Sequence, residues 1–90
     1  MRADRKAVAR LLKTARGQID GILKMIEEDR YCVDVSNQLM ATQSILTKAN
    51  REILKAHIGG CVQEAFDSGD EAQREASMQE ILSLLDKLGR

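Results

Sequence analysis

Cys32, His57 and Cys61 are the residues best equipped for chemistry in this chain. They are its only two cysteines and its only histidine. His57 and Cys61 are four apart, so a helix stacks them on one face. Cys32 lies 25 residues before His57, with no Gly or Pro between them. If one helix runs through, its rise of 1.5 Å per residue separates the two by about 37 Å. One ion cannot span that gap within a chain. Two copies of the helix packed antiparallel would bring Cys32 of one copy to His57 and Cys61 of the other. Two thiolates and one imidazole are soft donors that suit Cu(I) or Zn(II) rather than Mg or Ca. Structural zinc sites take four ligands, and no fourth donor is evident, so a trigonal Cu(I) site fits the set better. The bland reading stands beside this one. A lone Cys in a helical protein is most often a small buried hydrophobe, and a lone His at a helix end is usually a half-exposed surface residue. Spacing alone leaves the two readings about evenly matched.

The elements that must position these residues are helical. Ninety residues without proline, with aromatics only at Tyr31 and Phe66, make one small domain whose core is Leu, Ile, Val, Ala and Met. The first helix is expected from about Asp4 to Glu28. Its apolar positions Val8, Leu12, Ala15, Ile19, Ile22 and Ile26 keep heptad spacing. Gly17 and Gly21, four apart, offer a face for close approach of another helix. A polar turn, Glu28-Asp29-Arg30, precedes a second helix from about Val33 to at least His57. Its seam is Val35, Leu39, Thr42, Leu46, Ala49, Ile53 and Ala56. Gly59-Gly60 either ends this helix or weakens its continuation towards Phe66. After an Asp67-Ser68-Gly69-Asp70 loop, a third helix is expected from about Glu71 to Leu88. Residues 1–90 thus read as a single all-α domain, a three-helix protomer. Three unequal helices close poorly as a monomer. An antiparallel dimer with a four-helix core is more satisfying.

The net charge is zero, but the charge is polarised. Residues 1–24 carry seven basic and two acidic side chains, and residues 61–90 carry seven acidic and three basic ones. Arg2, Lys6, Arg10, Lys13 and Arg16 are spaced to line one face of the first helix, and Lys48, Arg51 and Lys55 do the same on the second. Most charged helix faces are merely solvated, but acids are nearly absent here, which favours phosphate contacts. No helix-turn-helix recognition element is evident, so double-stranded DNA would be read largely through its backbone and shape. The N-terminus has no apolar signal segment and there is no membrane-length apolar run. A cytoplasmic protein with reduced thiols is expected. One His, no Gly-rich loop after a strand and no plausible carboxylate dyad argue against an enzyme.

The stretch RLLKTARGQIDGILKMIEEDRYCVDVSNQLMATQSILTKANREIL, followed by HIGGC, resembles the CsoR/RcnR family of metal-sensing transcriptional repressors over nearly the whole chain. Its most specific segments are the Gly-Gln run of the first helix, Cys-x-Asp-Val-x-x-Gln, and His-x3-Cys. The resemblance implies an all-helical antiparallel dimer that pairs into a homotetramer, a dimer of dimers, with a sensor site between subunits. Cys32, His57 and Cys61 match the ligand pattern of the Cu(I)-sensing branch. Tyr31 and Glu80 match positions that form a network with the histidine. The resemblance further implies operator DNA binding by the metal-free protein through Arg10, Lys13, Arg16, Lys48 and Arg51, with Cu(I) relieving repression of copper-resistance genes. Family members often carry a basic residue where Leu11 stands, one place after Arg10. Two alternatives remain at this point: a thiol- or persulfide-sensing repressor of the same fold, and a zinc-stabilised helical interaction module.

Overall fold

A computed structural model describes residues 1–88, and these form four α-helices joined by short links. Helix α1 spans Arg5–Glu27 and α2 spans Cys32–His57. A π-helical turn, Ile58–Val62, carries α2 without a break into α3, Gln63–Asp67. Helix α4 spans Glu71–Leu88. The second expected helix therefore does not end at Gly59-Gly60. The pair lies inside a stretch of i→i+5 bonding, which accommodates one extra residue per turn. Counted as rods, α1, α2–α3 and α4 give the three-helix protomer.

Local chemistry sets the ends. Asp4 caps α1, its Oδ1 accepting from the Lys6 and Ala7 amides at 2.9 and 3.2 Å. Asp29 closes the α1–α2 turn in the left-handed region at φ 53°, a conformation Asp tolerates through its short polar side chain. Gly69 holds φ 74° in the next link, and Asp70 accepts from the Ala72 amide at 2.9 Å at the start of α4.

Helices α1 and α2 form an antiparallel hairpin. Val8, Ala15 and Ile22 are buried against Thr42 and Ala49. The Thr42 hydroxyl donates to Gln18 Oε1 at 2.8 Å, with the Gln38 carbonyl at 3.1 Å as its second acceptor. That polar contact fixes the register. A slip by one residue would leave a buried hydroxyl facing apolar side chains.

The hairpin uses half of each heptad seam. Leu12, Ile19, Ile26, Leu39 and Leu46 remain exposed, as do Met78, Leu82, Leu85 and Leu88 on α4. The protomer is long and thin, with extents of 59 × 28 × 13 Å and a radius of gyration of 18.0 Å. A compact chain of this length has a radius of about 12 Å. Its accessible surface is 6900 Å², against about 5,200 Å² for a folded monomer of this mass. Among the described residues no helix is long and apolar enough to cross a membrane.

Candidate metal centre and basic face

His57 is the last residue of α2, and Cys61 sits in the π-turn that follows. His57 Nε2 meets the Glu80 carboxylate of α4. This contact joins α4 to the end of α2, 23 positions away in sequence. With Nε2 engaged by Glu80, Nδ1 is the ring nitrogen open to a ligand. A carboxylate behind a histidine of this kind fixes the orientation of the ring.

Cys32 is the first residue of α2 and His57 the last. The intervening helix is unbroken, so the expected separation holds, and a single chain does not bring Cys32 to His57 and Cys61. Accordingly, among the described residues no three His, Cys, Asp or Glu side chains converge within one chain on a site for an ion. Both cysteines are free thiols, Cys32 exposed and Cys61 half-buried. Tyr31 directly precedes α2, also at the Cys32 end, with 67% of its surface exposed. It too is distant from His57 of its own chain.

One contact at this site carried no signal in the sequence. The Arg2 guanidinium pairs with the Glu64 carboxylate, and the Arg2 side chain crosses the turn at Gly60, the residue before Cys61. Glu64 first, and Cys61 second, hold Arg2 above its ordinary pKa. Arg2 therefore leaves the basic stripe in which heptad counting places it. Helix α1 begins only at Arg5, and the preceding segment turns towards α3, with Ala3 buried beside it. A contact spanning 62 positions has no periodicity to announce it.

The remaining basic residues behave as their spacing suggests. Arg10, Lys13, Arg16, Lys48 and Arg51 are all exposed. The Gln18–Thr42 register sets Arg10 and Lys13 level with Lys48 and Arg51 across the hairpin. Arg5, Lys6, Arg10 and Lys13 border a shallow groove floored by Ala9 and Thr14. A second groove on α2 is lined by Ser44, Thr47, Lys48 and Arg51, with Glu52 as its one acid. Leu11 is half-buried, so the one-place offset leaves Arg10 on the open side. Gly17 and Gly21 have nothing within 4 Å of where a Cβ would stand, so within the protomer they admit no close helix approach.

A helical hairpin with an imidazole–carboxylate pair and a Cys at one end of α2, and a second Cys at the other, defines the class. The model of the metal-sensitive transcriptional repressor family matches residues 4–87, and the chain belongs to that family. Among relatives, the copper-sensing transcriptional repressor CsoR of Mycobacterium ulcerans is 44% identical over 78 residues, 87% of this chain. The chain spans 64% of that relative's length. CsoR of Bacillus subtilis is 34% identical over 84 residues, covering 93% of this chain and 80% of that protein. The crystal structure of the copper-sensing repressor CsoR with Cu(I) from Geobacillus thermodenitrificans superposes with a TM-score of 0.84 at 29% identity, covering 94% of this chain and 85% of that one.

Proposed function

We propose that this chain is a Cu(I)-responsive transcriptional repressor whose sensor site is completed only between two copies. The observation that carries the reading is the division of donors. His57, oriented by Glu80, and Cys61 lie at one end of α2, and Cys32 lies at the other. Antiparallel packing of two hairpins would place Cys32 of one protomer against His57 and Cys61 of its partner. The bare half-seams of α1 and α2 supply the apolar surface such packing buries, and two dimers make the homotetramer. The donor set fits Cu(I): two free thiols and one imidazole nitrogen open at Nδ1 make a soft three-donor set. The names of the curated relatives and of the solved structure support the same ion.

A bound Cu(I) would supply a soft, monovalent crosslink between the two chains. The protein residues do the rest. Cys32 and Cys61 give up their protons and bind as thiolates. The His57 ring, fixed through Nδ1, holds its Nε2–H against Glu80 and so fixes α4 relative to α2. Tyr31 of the neighbouring chain, beside Cys32, is placed to join that contact. Arg10, Lys13, Arg16, Lys48 and Arg51 hold double-stranded operator DNA by its phosphates in the metal-free tetramer. Ligation would weaken that grip by fixing α4 and the two chains relative to one another. Such coupling between sites is typically about 1–3 kcal/mol. The protein would act in the cytoplasm, where thiols stay reduced, on genes whose products remove or buffer copper.

The test is a titration of the reduced protein with Cu(I), Zn(II) and Ni(II) while binding to operator DNA is followed. Cu(I) should release DNA at one equivalent per chain, and Cys32→Ala should abolish tight Cu(I) binding. Wild-type Cu(I) affinity in Cys32→Ala would remove the intersubunit site. Release by persulfide instead of Cu(I) would move the protein to the thiol-sensing reading.

A further inference from the structure

The Arg2–Glu64–Cys61 cluster lies against the ligand segment and is not accounted for by the ligands themselves. Arg2 precedes α1, yet it is held in place. Glu64 takes its guanidinium, and the adjoining Ala3 is buried. The Arg2 side chain lies across the π-turn at Gly60. A Cβ at Gly60 would stand 3.2 Å from Arg2 Cδ, 3.5 Å from Nε and 3.6 Å from Nη1. The second glycine of the pair therefore has a local purpose: it leaves room for the arginine stem. Glu64 is three residues beyond Cys61, on the same helical face, so it anchors the guanidinium beside the sulfur.

A positive charge fixed there acts differently on different ions. Two thiolates, a neutral imidazole and Cu(I) carry a net charge of −1. The same donors around Zn(II) carry none. The ion's own charge must enter the electrostatics of any such site. A guanidinium beside Cys61 stabilises the anionic assembly and does little for the neutral one. Glu64 opposes this effect only in part, because its side chain is 65% exposed against 46% for Arg2, and exposed charge is screened more strongly.

Building on the Cys32/His57/Cys61 reading above, we propose that Arg2 is a selectivity-determining and positioning residue, held by Glu64 over Gly60, which biases the site towards monovalent ions. Arg2 is not a ligand. Held over Gly60 by Glu64, it supplies a compensating positive charge next to the ligand segment and restrains the turn that carries Cys61.

The experiment compares wild type, Arg2→Met, Arg2→Lys, Glu64→Gln and Cys32→Ala as reduced, full-length proteins. Cu(I) and Zn(II) affinities are each measured by competition with a chelator. Arg2→Met, which keeps the apolar stem, should lower the Cu(I)-to-Zn(II) affinity ratio by about tenfold, the scale of a charge-assisted contact at a half-exposed site. Arg2→Lys should recover part of the ratio, and Glu64→Gln should lower it less than Arg2→Met. A ratio unchanged in Arg2→Met, or equal losses for both ions, overturns the proposal. A metal-free readout accompanies it. The Arg2 Nη–H NMR signals should be protected from solvent exchange in wild type, where Nη2 donates to Glu64, and lose that protection in Glu64→Gln. A freely exchanging signal in wild type overturns the held geometry. Cys32→Ala separates this inference from the one beneath it. If Cys32→Ala loses Cu(I) while Arg2→Met keeps the wild-type ratio, only the role of Arg2 fails. If Cys32→Ala keeps Cu(I), the site itself fails and Arg2 with it.

Discussion

Glu80→Ala separates metal binding from signalling. Glu80 sits on α4 and its carboxylate meets His57 Nε2 at the end of α2, so the substitution removes the side-chain contact between His57 and the last helix. Alanine is the best helix former, and Glu80 is exposed, so α4 itself should survive. The His57 and Glu80 side chains are 36% and 51% exposed. At that exposure an ion pair or charged hydrogen bond is worth about 1 kcal/mol, not the larger value of a buried one. About 1 kcal/mol is roughly a fivefold loss in Cu(I) affinity, because Cys32, Cys61 and the imidazole all remain. The coupling should suffer more. If Cu(I) weakens DNA binding by about 1–3 kcal/mol, and the route passes from His57 to α4, most of that difference should vanish. The assay is a paired one: Cu(I) affinity by chelator competition, and DNA affinity by fluorescence anisotropy with and without one equivalent of Cu(I). The expected result is a protein that binds Cu(I) nearly as well as wild type yet stays on DNA. His57→Ala should show the same pattern, since two thiolates still hold Cu(I) linearly. If Cu(I) releases Glu80→Ala from DNA as completely as wild type, the signal does not travel through this contact.

Other outcomes follow from the same geometry. Lys13→Ala and Arg16→Ala should each weaken operator binding and lower the log–log salt slope by about one unit per lost phosphate contact; unchanged affinity and slope in both would remove α1 from the DNA face. Thr42→Val should destabilise the protein by about 1–3 kcal/mol, because Thr42 is only 4% exposed and its loss strands Gln18 Oε1 at the α1–α2 interface; an unchanged urea midpoint at fixed protein concentration would show that the contact does not hold the register. Sedimentation of the reduced protein at micromolar concentration should give a dimer or tetramer, and a stable folded monomer would defeat the intersubunit site.

Much of this protein is written in local pattern. Heptad spacing in α1 and α2 depends only on residues one turn apart, so helix type and length were legible, with ends misplaced by about one residue, as at Cys32. The distance between Cys32 and His57 was legible too. Cys32 and His57 without a breaker between them are a statement about rigid-rod length, and the unbroken α2 bears out the rod. Likewise, the near-absence of acids from the basic stripes, broken by Glu52, is a one-dimensional fact that the exposed faces of α1 and α2 preserve.

Tertiary structure alone decided the rest. Heptad counting makes Leu12 and Ala15 equals, yet the hairpin buries Ala15 and leaves Leu12 bare, because one neighbour covers only half of a helix seam. The path at Gly59-Gly60 was open in sequence. Glycine permits either a stop or a continuation, and the contact of Glu80 on α4 with His57 accompanies the π-turn. Arg2 read as the first member of a basic stripe, yet it leaves that stripe for Glu64 and Cys61. A charge pairs with whatever opposite charge the fold brings near, and no spacing along the chain records a contact made across 62 residues.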